Sequence, residues 1–181
     1  KESWSGGGKL IVKKIYPDPK TGKFDYRGTK GFKIDWELVP GGENFLVEGK
    51  VSGPRATNVV GLDAVLFDPR GKWAVAALRT TGTSIVFDQS NWEPAGAVFF
   101  STKNTPPQKL TKVDKDTWEI VIPKVENYGH QAGFSPDGKH FLFMGAIMEN
   151  AIYVYDSSDH SNPMNWKAKA FVTKPEWRGA Y

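Results

Sequence analysis

Two segments of this chain, 60–88 and 128–156, follow a single plan, so the fold must build that plan twice. Aligning Phe67-Asp68-Pro69-Arg70-Gly71-Lys72 with Phe134-Ser135-Pro136-Asp137-Gly138-Lys139 sets an offset of 67 residues, and under that offset Asp63 falls on His130 (130 − 63 = 67). Each copy reads as an apolar strand, a tight Pro/Gly turn, a second apolar strand, a polar loop and a third strand ending in Asp. The third strands are Ile85-Val86-Phe87-Asp88 and Ile152-Tyr153-Val154-Tyr155-Asp156. Repetition of short strands at this spacing is the signature of β-propeller blades. The expected fold class is all-β, a β-propeller.

A four-stranded blade takes roughly 40 to 50 residues and a closed ring at least about four blades. The 181 residues therefore accommodate about three to four blades of an incomplete ring. The clear repeats span 57–101 and 124–173. A weaker strand–turn–strand copy occupies 30–56 around Pro40-Gly41-Gly42-Glu43, and 1–29 reads as outer strands of a preceding blade, with 9–15 as one of them. The weaker turn precedes the next by only 29 residues (69 − 40 = 29), which is short for a full blade. The polar stretch 101–115 reads as a connection, and 117–123 as a strand. The first residue is Lys1, and the loop-like start fits a processed or truncated piece.

The net charge of +4 is dispersed among interleaved acidic and basic residues. With no basic stripe along the sequence to track a phosphate backbone, nucleic acid is not an expected partner. No apolar run approaches the length of a membrane span, so no membrane association is expected. The absence of cysteine excludes disulfides, thiolate metal sites and a Cys nucleophile.

The chemistry of the repeat lies where its copies differ. In propellers of this plan the strand before the turn lines the central channel, and its first residues stand at the channel mouth. Asp63 and His130 hold that place in their copies. A carboxylate and an imidazole facing one confined space suit copper, zinc or iron, and copper leads the divalent affinity order. The plainer account makes Asp63 a turn-capping residue and His130 a packing residue. His140, past the turn, and His160, in a loop of Ser, Asp and Asn, read as surface residues. Gly6-Gly7-Gly8 neither follows a strand nor opens a helix, so it is no phosphate loop.

The stretches Val59-Val60-Gly61-Leu62-Asp63 and 128–144, with Tyr128-Gly129-His130 at the head of the second, resemble the copper-containing thiocyanate dehydrogenases. These are seven-bladed propeller enzymes distantly similar to the propeller domain of nitrous oxide reductase. The resemblance covers most of this chain, whereas the chain covers only the middle of such an enzyme. It implies that Asp63 and His130 are ligands of a trinuclear copper centre and that Glu37, in Ile34-Asp35-Trp36-Glu37-Leu38, is the catalytic carboxylate. The joint spacing of Glu37, Asp63 and His130 is its specific part, since Ser-Pro-Asp-Gly turns occur in many propellers. The repeat itself does not place Glu37: the position equivalent to Asp63 in the weaker copy is Ile34 (63 − 29 = 34).

The resemblance further implies a periplasmic oxidoreductase that converts thiocyanate to cyanate and elemental sulfur, passing two electrons to an external acceptor such as a c-type cytochrome. The remaining blades and ligands would come from outside this chain, which alone would be inactive; homo-oligomer formation stays open. A Glu37 desolvated beside Trp36 could accept a proton from water. His130 would ligate as neutral imidazole, so acid is expected to release metal. The rival expectation is a non-catalytic propeller that binds a partner protein on its loop face, because fold alone does not separate the two.

Overall fold

A computed structural model describes residues 8–16, 18–22, 32–34, 44–51, 62–78, 83–99, 108–122, 128–146 and 151–173. The described residues are all-β, in three antiparallel sheets, with one short 3₁₀ turn at Pro163–Asn165. The strands are β1 (Gly8–Ile15), β2 (Phe32–Ile34), β3 (Asn44–Val51), β4 (Leu62–Phe67), β5 (Trp73–Leu78), β6 (Thr83–Asp88), β7 (Glu93–Phe99), β8 (Lys109–Lys112), β9 (Thr117–Ile122), β10 (Tyr128–Phe134), β11 (His140–Ala146), β12 (Ala151–Asp156) and β13 (Lys167–Thr173). No helix among them is long and apolar enough to cross a membrane.

The two sequence repeats fold as two separate meanders, ordered β4-β5-β6-β7 and β10-β11-β12-β13. Their first hairpins close identically. Asp68 N donates to Trp73 O at 2.8 Å and Gly71 N to Asp68 O at 2.8 Å; in the second copy Ser135 N donates to His140 O at 2.9 Å and Gly138 N to Ser135 O at 2.8 Å. Both turns end in a left-handed glycine, Gly71 at φ 85° and Gly138 at φ 69°, a conformation that costs an L-residue about 1–2 kcal/mol. The third strands end in Asp for a local reason: Asp88 Oδ1 accepts from Ser90 N at 2.8 Å, and Asp156 Oδ1 from Ser158 N at 3.0 Å. Each carboxylate thereby supplies the turn that leads into the fourth strand.

The middle meander is buried on both faces. Register pairs Val75 with Val86 on one face, and Ala74 with Phe87 and Ala76 with Ile85 on the other; all six are fully buried. A strand with no wet face reads as a near-continuous apolar run, which is why residues 73–78 show little polar alternation. Trp73, Val75, Val86 and Val98 join Phe141, Tyr153, Tyr155 and Trp166 of the second meander in one core. Phe134 packs edge-on to Phe141 at 4.8 Å between centroids and to Trp166 at 5.9 Å. Each such large side chain removed from water contributes about 1.5–3 kcal/mol.

The third sheet departs from sequence expectation. Its order is β2-β3-β1-β9-β8, so β1 is its central strand and not an outer one. β1 pairs with β3 from Gly8↔Val51 to Ile15↔Asn44 and with β9 from Gly8↔Ile122 to Lys13↔Thr117. The polar stretch expected to be only a connection contains β8, an edge strand paired with β9. Alternation still sorts the faces, with Val12, Trp118 and Ile120 buried and Lys13 and Thr111 exposed. β9 in turn lies against β7 of the middle meander.

The two turn glycines differ in surroundings, which yields a prediction. A Cβ on Gly71 would meet nothing within 4 Å, whereas one on Gly138 would lie 2.5 Å from Arg70 Nε and 2.7 Å from Asp68 Oδ1. Gly71→Ala should cost about 1–2 kcal/mol through backbone strain alone. Gly138→Ala should cost a further ~1–3 kcal/mol through overpacking. Chemical denaturation of the two variants would show equal losses if the close approach had no energetic weight.

Candidate functional site at the paired strand bulges

The first strand of each meander carries one break in its ladder, and the two breaks coincide under the repeat offset. Between β4 and β5 the register runs Leu62↔Leu78 and then Ala64↔Ala77, stepping over Asp63. Between β10 and β11 it runs Gly129↔Gly145 and then Gln131↔Met144, stepping over His130. The two candidate ligands therefore occupy the extra position of equivalent β-bulges. A bulge leaves its extra residue out of the pairing, bends the strand and redirects a side chain, and bulges concentrate beside active sites.

Register at the other end of the same strands is set by the turns. The glycine turns fix Phe67↔Ala74 and Phe134↔Phe141 as the first strand pairs, and the pairs up to each bulge are counted from there. β10 lies against β4 and β5, so the two bulged strands are neighbours in space. A second pair of breaks also repeats, between Val86 and Phe87 and between Val154 and Tyr155, at the junction of third and fourth strands. The meanders are thus copies down to their irregularities.

A clasp at the turn ends ties the copies together. Arg70 holds Asp68 in a two-point ion pair, Nε to Oδ1 at 3.0 Å and Nη2 to Oδ2 at 2.9 Å, and Nη2 also donates across the interface to Ser157 O at 2.9 Å. The Asp68 side chain is fully buried. Within the second meander Ser157 Oγ donates to Gly138 O at 2.8 Å, and from the first meander Trp73 Nε1 donates across to His160 O at 3.1 Å. His160 Nε2 is buried without a hydrogen-bond partner and sits 3.6 Å from Asp68 Oδ2, too far for a hydrogen bond.

Local carboxylates stiffen this end. The Ser135 hydroxyl and the Lys139 amide hold the Asp137 carboxyl below its ordinary range, and the Ser158 hydroxyl and amide do the same for Asp156. Asp159 is held lowest, by the Ser161 hydroxyl, then the Asn165 side chain and the Ser161 amide. Asp159 also offers its backbone oxygen to Trp166 Nε1 at 2.8 Å, anchoring a core tryptophan to the loop. A depressed carboxylate stabilises the fold above the ordinary carboxylate range, and that contribution is lost as pH falls below it.

Of the residues singled out from sequence, Asp63 and His130 are brought into equivalent, adjacent strands, while Glu37 lies outside the described residues. Among the described residues no group of three or more His, Asp or Glu gathers as a metal site. His160, read from sequence as a surface residue, belongs to the clasp, as do Asp68, Arg70 and Ser157, which sequence reasoning did not single out. The available signal was the contrast between Asp68-Pro69-Arg70 and Ser135-Pro136-Asp137: one copy carries an acid followed two residues on by a base, where the other carries a serine followed by an acid. No protein-family model matches the chain, and no curated protein matches it.

Removing one partner of a buried ion pair strands the other. Arg70→Met should therefore cost about 3–5 kcal/mol, read as a lowered denaturation midpoint. Lys112→Met, at an exposed pair with Glu93, should change stability by about 1 kcal/mol or less. Similar losses in the two variants would remove the clasp from the account of stability.

Proposed function

We propose that this chain is part of a copper-dependent oxidoreductase, a thiocyanate dehydrogenase, in which the two meanders are consecutive blades of a β-propeller. The blades correspond to 57–101 and 124–173. The observation that carries this proposal is the coincidence of Asp63 and His130 at equivalent bulges of adjacent first strands. The repeat alone would place a bulge at the same point of both copies; metal binding adds a reason for a carboxylate and an imidazole, both metal donors, to occupy it. A bulge presents a side chain that the ladder would otherwise constrain.

The donor set fits copper: one carboxylate oxygen, one imidazole nitrogen and no competing thiolate in the chain. Asp63 and His130 would hold the metal, with further ligands supplied by blades outside this chain. Bound copper supplies the electron-accepting capacity and the Lewis acidity that the conversion requires. The conversion balances as SCN⁻ + H₂O → OCN⁻ + S + 2 H⁺ + 2 e⁻, with the electrons passing to an external acceptor such as a c-type cytochrome in the periplasm. Glu37 is assigned the base that takes a proton from water, and His130 serves in its neutral form, so metal retention should fall in acid.

The competing proposal, a non-catalytic propeller that docks a protein partner, accounts for the shared bulge by the repeat but not for two metal-donor residue types occupying it. Metal analysis of the intact assembly separates the two. Copper should survive dialysis and be lost in Asp63→Ala and in His130→Ala; a properly loaded protein that retains none would favour the interaction module. Glu37→Gln should keep its copper and lose about 100-fold or more in turnover. Unchanged turnover in that variant would remove Glu37 from the mechanism.

A further inference from the structure

The contact between the two meanders follows a donor pattern that the repeat carries onto a second, more open face. Three donors at the first turn of one meander reach three carbonyls in a loop of the other: Arg70 Nη2 to Ser157 O at 2.9 Å, Trp73 Nε1 to His160 O at 3.1 Å and Lys72 Nζ to Ser161 O at 3.5 Å. Beside them Val75 and Val86, paired in register, are fully buried. The repeat offset takes the three donor positions to Asp137, Lys139 and His140 (137 − 70 = 67). Leu142 pairs with Val154 as Val75 pairs with Val86. Phe141, Tyr153 and Tyr155 join the core shared with the first meander, and alternate residues of a strand point the other way, so Leu142 and Val154 lie on the outer face. There the pair is only half-buried, and Asp137 and Lys139 are exposed.

We infer that this outer face of the second meander is the docking surface for a further four-stranded sheet of the same plan, supplied from outside these 181 residues. The inference rests on the propeller reading of the two meanders and not on the copper. Apolar surface rimmed by polar groups marks an interaction site, and the established contact says what fits this one. Lys139 and the His140 ring keep donors where Lys72 and Trp73 have them, so they take carbonyls from a loop of the incoming sheet. Asp137 reverses the polarity at the place of Arg70: an ionised carboxylate only accepts, so the incoming loop must offer it an N–H or a cation. A second copy of this chain does not meet that need. Its two loops of this kind already have carbonyls engaged, Asn91 O by Lys14 Nζ at 3.4 Å and those of Ser157, His160 and Ser161 by the first meander.

The chain has no cysteine, so within it a single introduced one reports on its own surroundings. Lys139→Cys is made in the intact assembly, and its rate of reaction with a maleimide is compared with the rate for the same variant unfolded in urea. The folded assembly should react about tenfold or more slowly. A benzophenone maleimide carried at position 139 should cross-link, on illumination, to peptides that this chain does not contain. Should Lys139→Cys fail to fold, Leu142→Cys decides by the cross-linked peptides. Labelling of position 139 at the unfolded rate overturns the inference, since the face is then bare. Cross-links confined to this chain overturn it as well, because the cover would be a second copy or the chain itself. Copper content is measured on the same samples. A protected face in a protein without copper removes the copper proposal and leaves the docking surface, and a bare face in a copper-replete protein does the reverse.

Discussion

Register is the constraint on which the described structure depends. Each meander begins from a glycine turn whose hydrogen bonds admit one alignment of its first two strands, Phe67↔Ala74 in one and Phe134↔Phe141 in the other. A slip by one residue would send every side chain of a strand to the opposite face. In the middle meander that would exchange one filled apolar layer for another of different shape, because both faces are buried. The large side chains make such an exchange costly: Phe87 and Ile85 cannot occupy the space shaped for Val86 without overpacking. Turn and core therefore enforce the same alignment, and the bulges fall at fixed points along it.

The interface between the meanders combines two unlike contributions. Its body is apolar, with Trp73 and Val75 from one sheet and Phe141, Tyr153 and Trp166 from the other. Apolar contact is strong but tolerates sliding. The Arg70 clasp is directional, since its guanidinium must satisfy Asp68 in its own turn and Ser157 O in the neighbouring meander at once. Gly138 fits against this pair only because it lacks a Cβ. The core supplies most of the attraction, and the clasp fixes the relative position of the two sheets.

Much of this was legible in the sequence because it is local. The Pro/Gly turns, the terminal Asp of each third strand and the offset that places Asp63 on His130 are all carried by neighbouring residues. What could not be read is relational. Alternation at residues 9–15 announces a strand but not its partners, and pairing β1 with β9 closes a loop of about a hundred residues, whose entropic cost grows only slowly with length. A bulge has no composition of its own: Asp63 and His130 share a position but no residue type. Arg70 was hidden for a similar reason, since a base near an acid in a turn reads as solvated until Ser157 and Gly138 arrive from the other copy. Glu37 had no support from the repeat and lies outside the described residues.

Turn and bulge sit at opposite ends of the same strands, and this links stability to chemistry. From Asp63 to Asp68 is five residues (68 − 63 = 5), or roughly 16 Å of extended strand. Over that span β4 is held by β5 along its length. It therefore transmits position from the clasp to the bulge with little give. β4 and β10 lie against each other directly, and Arg70, Asp68 and Ser157 join the same two sheets at the turn end. The division of labour also explains the pattern of divergence: the turn glycines and the bulges are kept alike in both copies, and the residue presented at each bulge is the part left to differ.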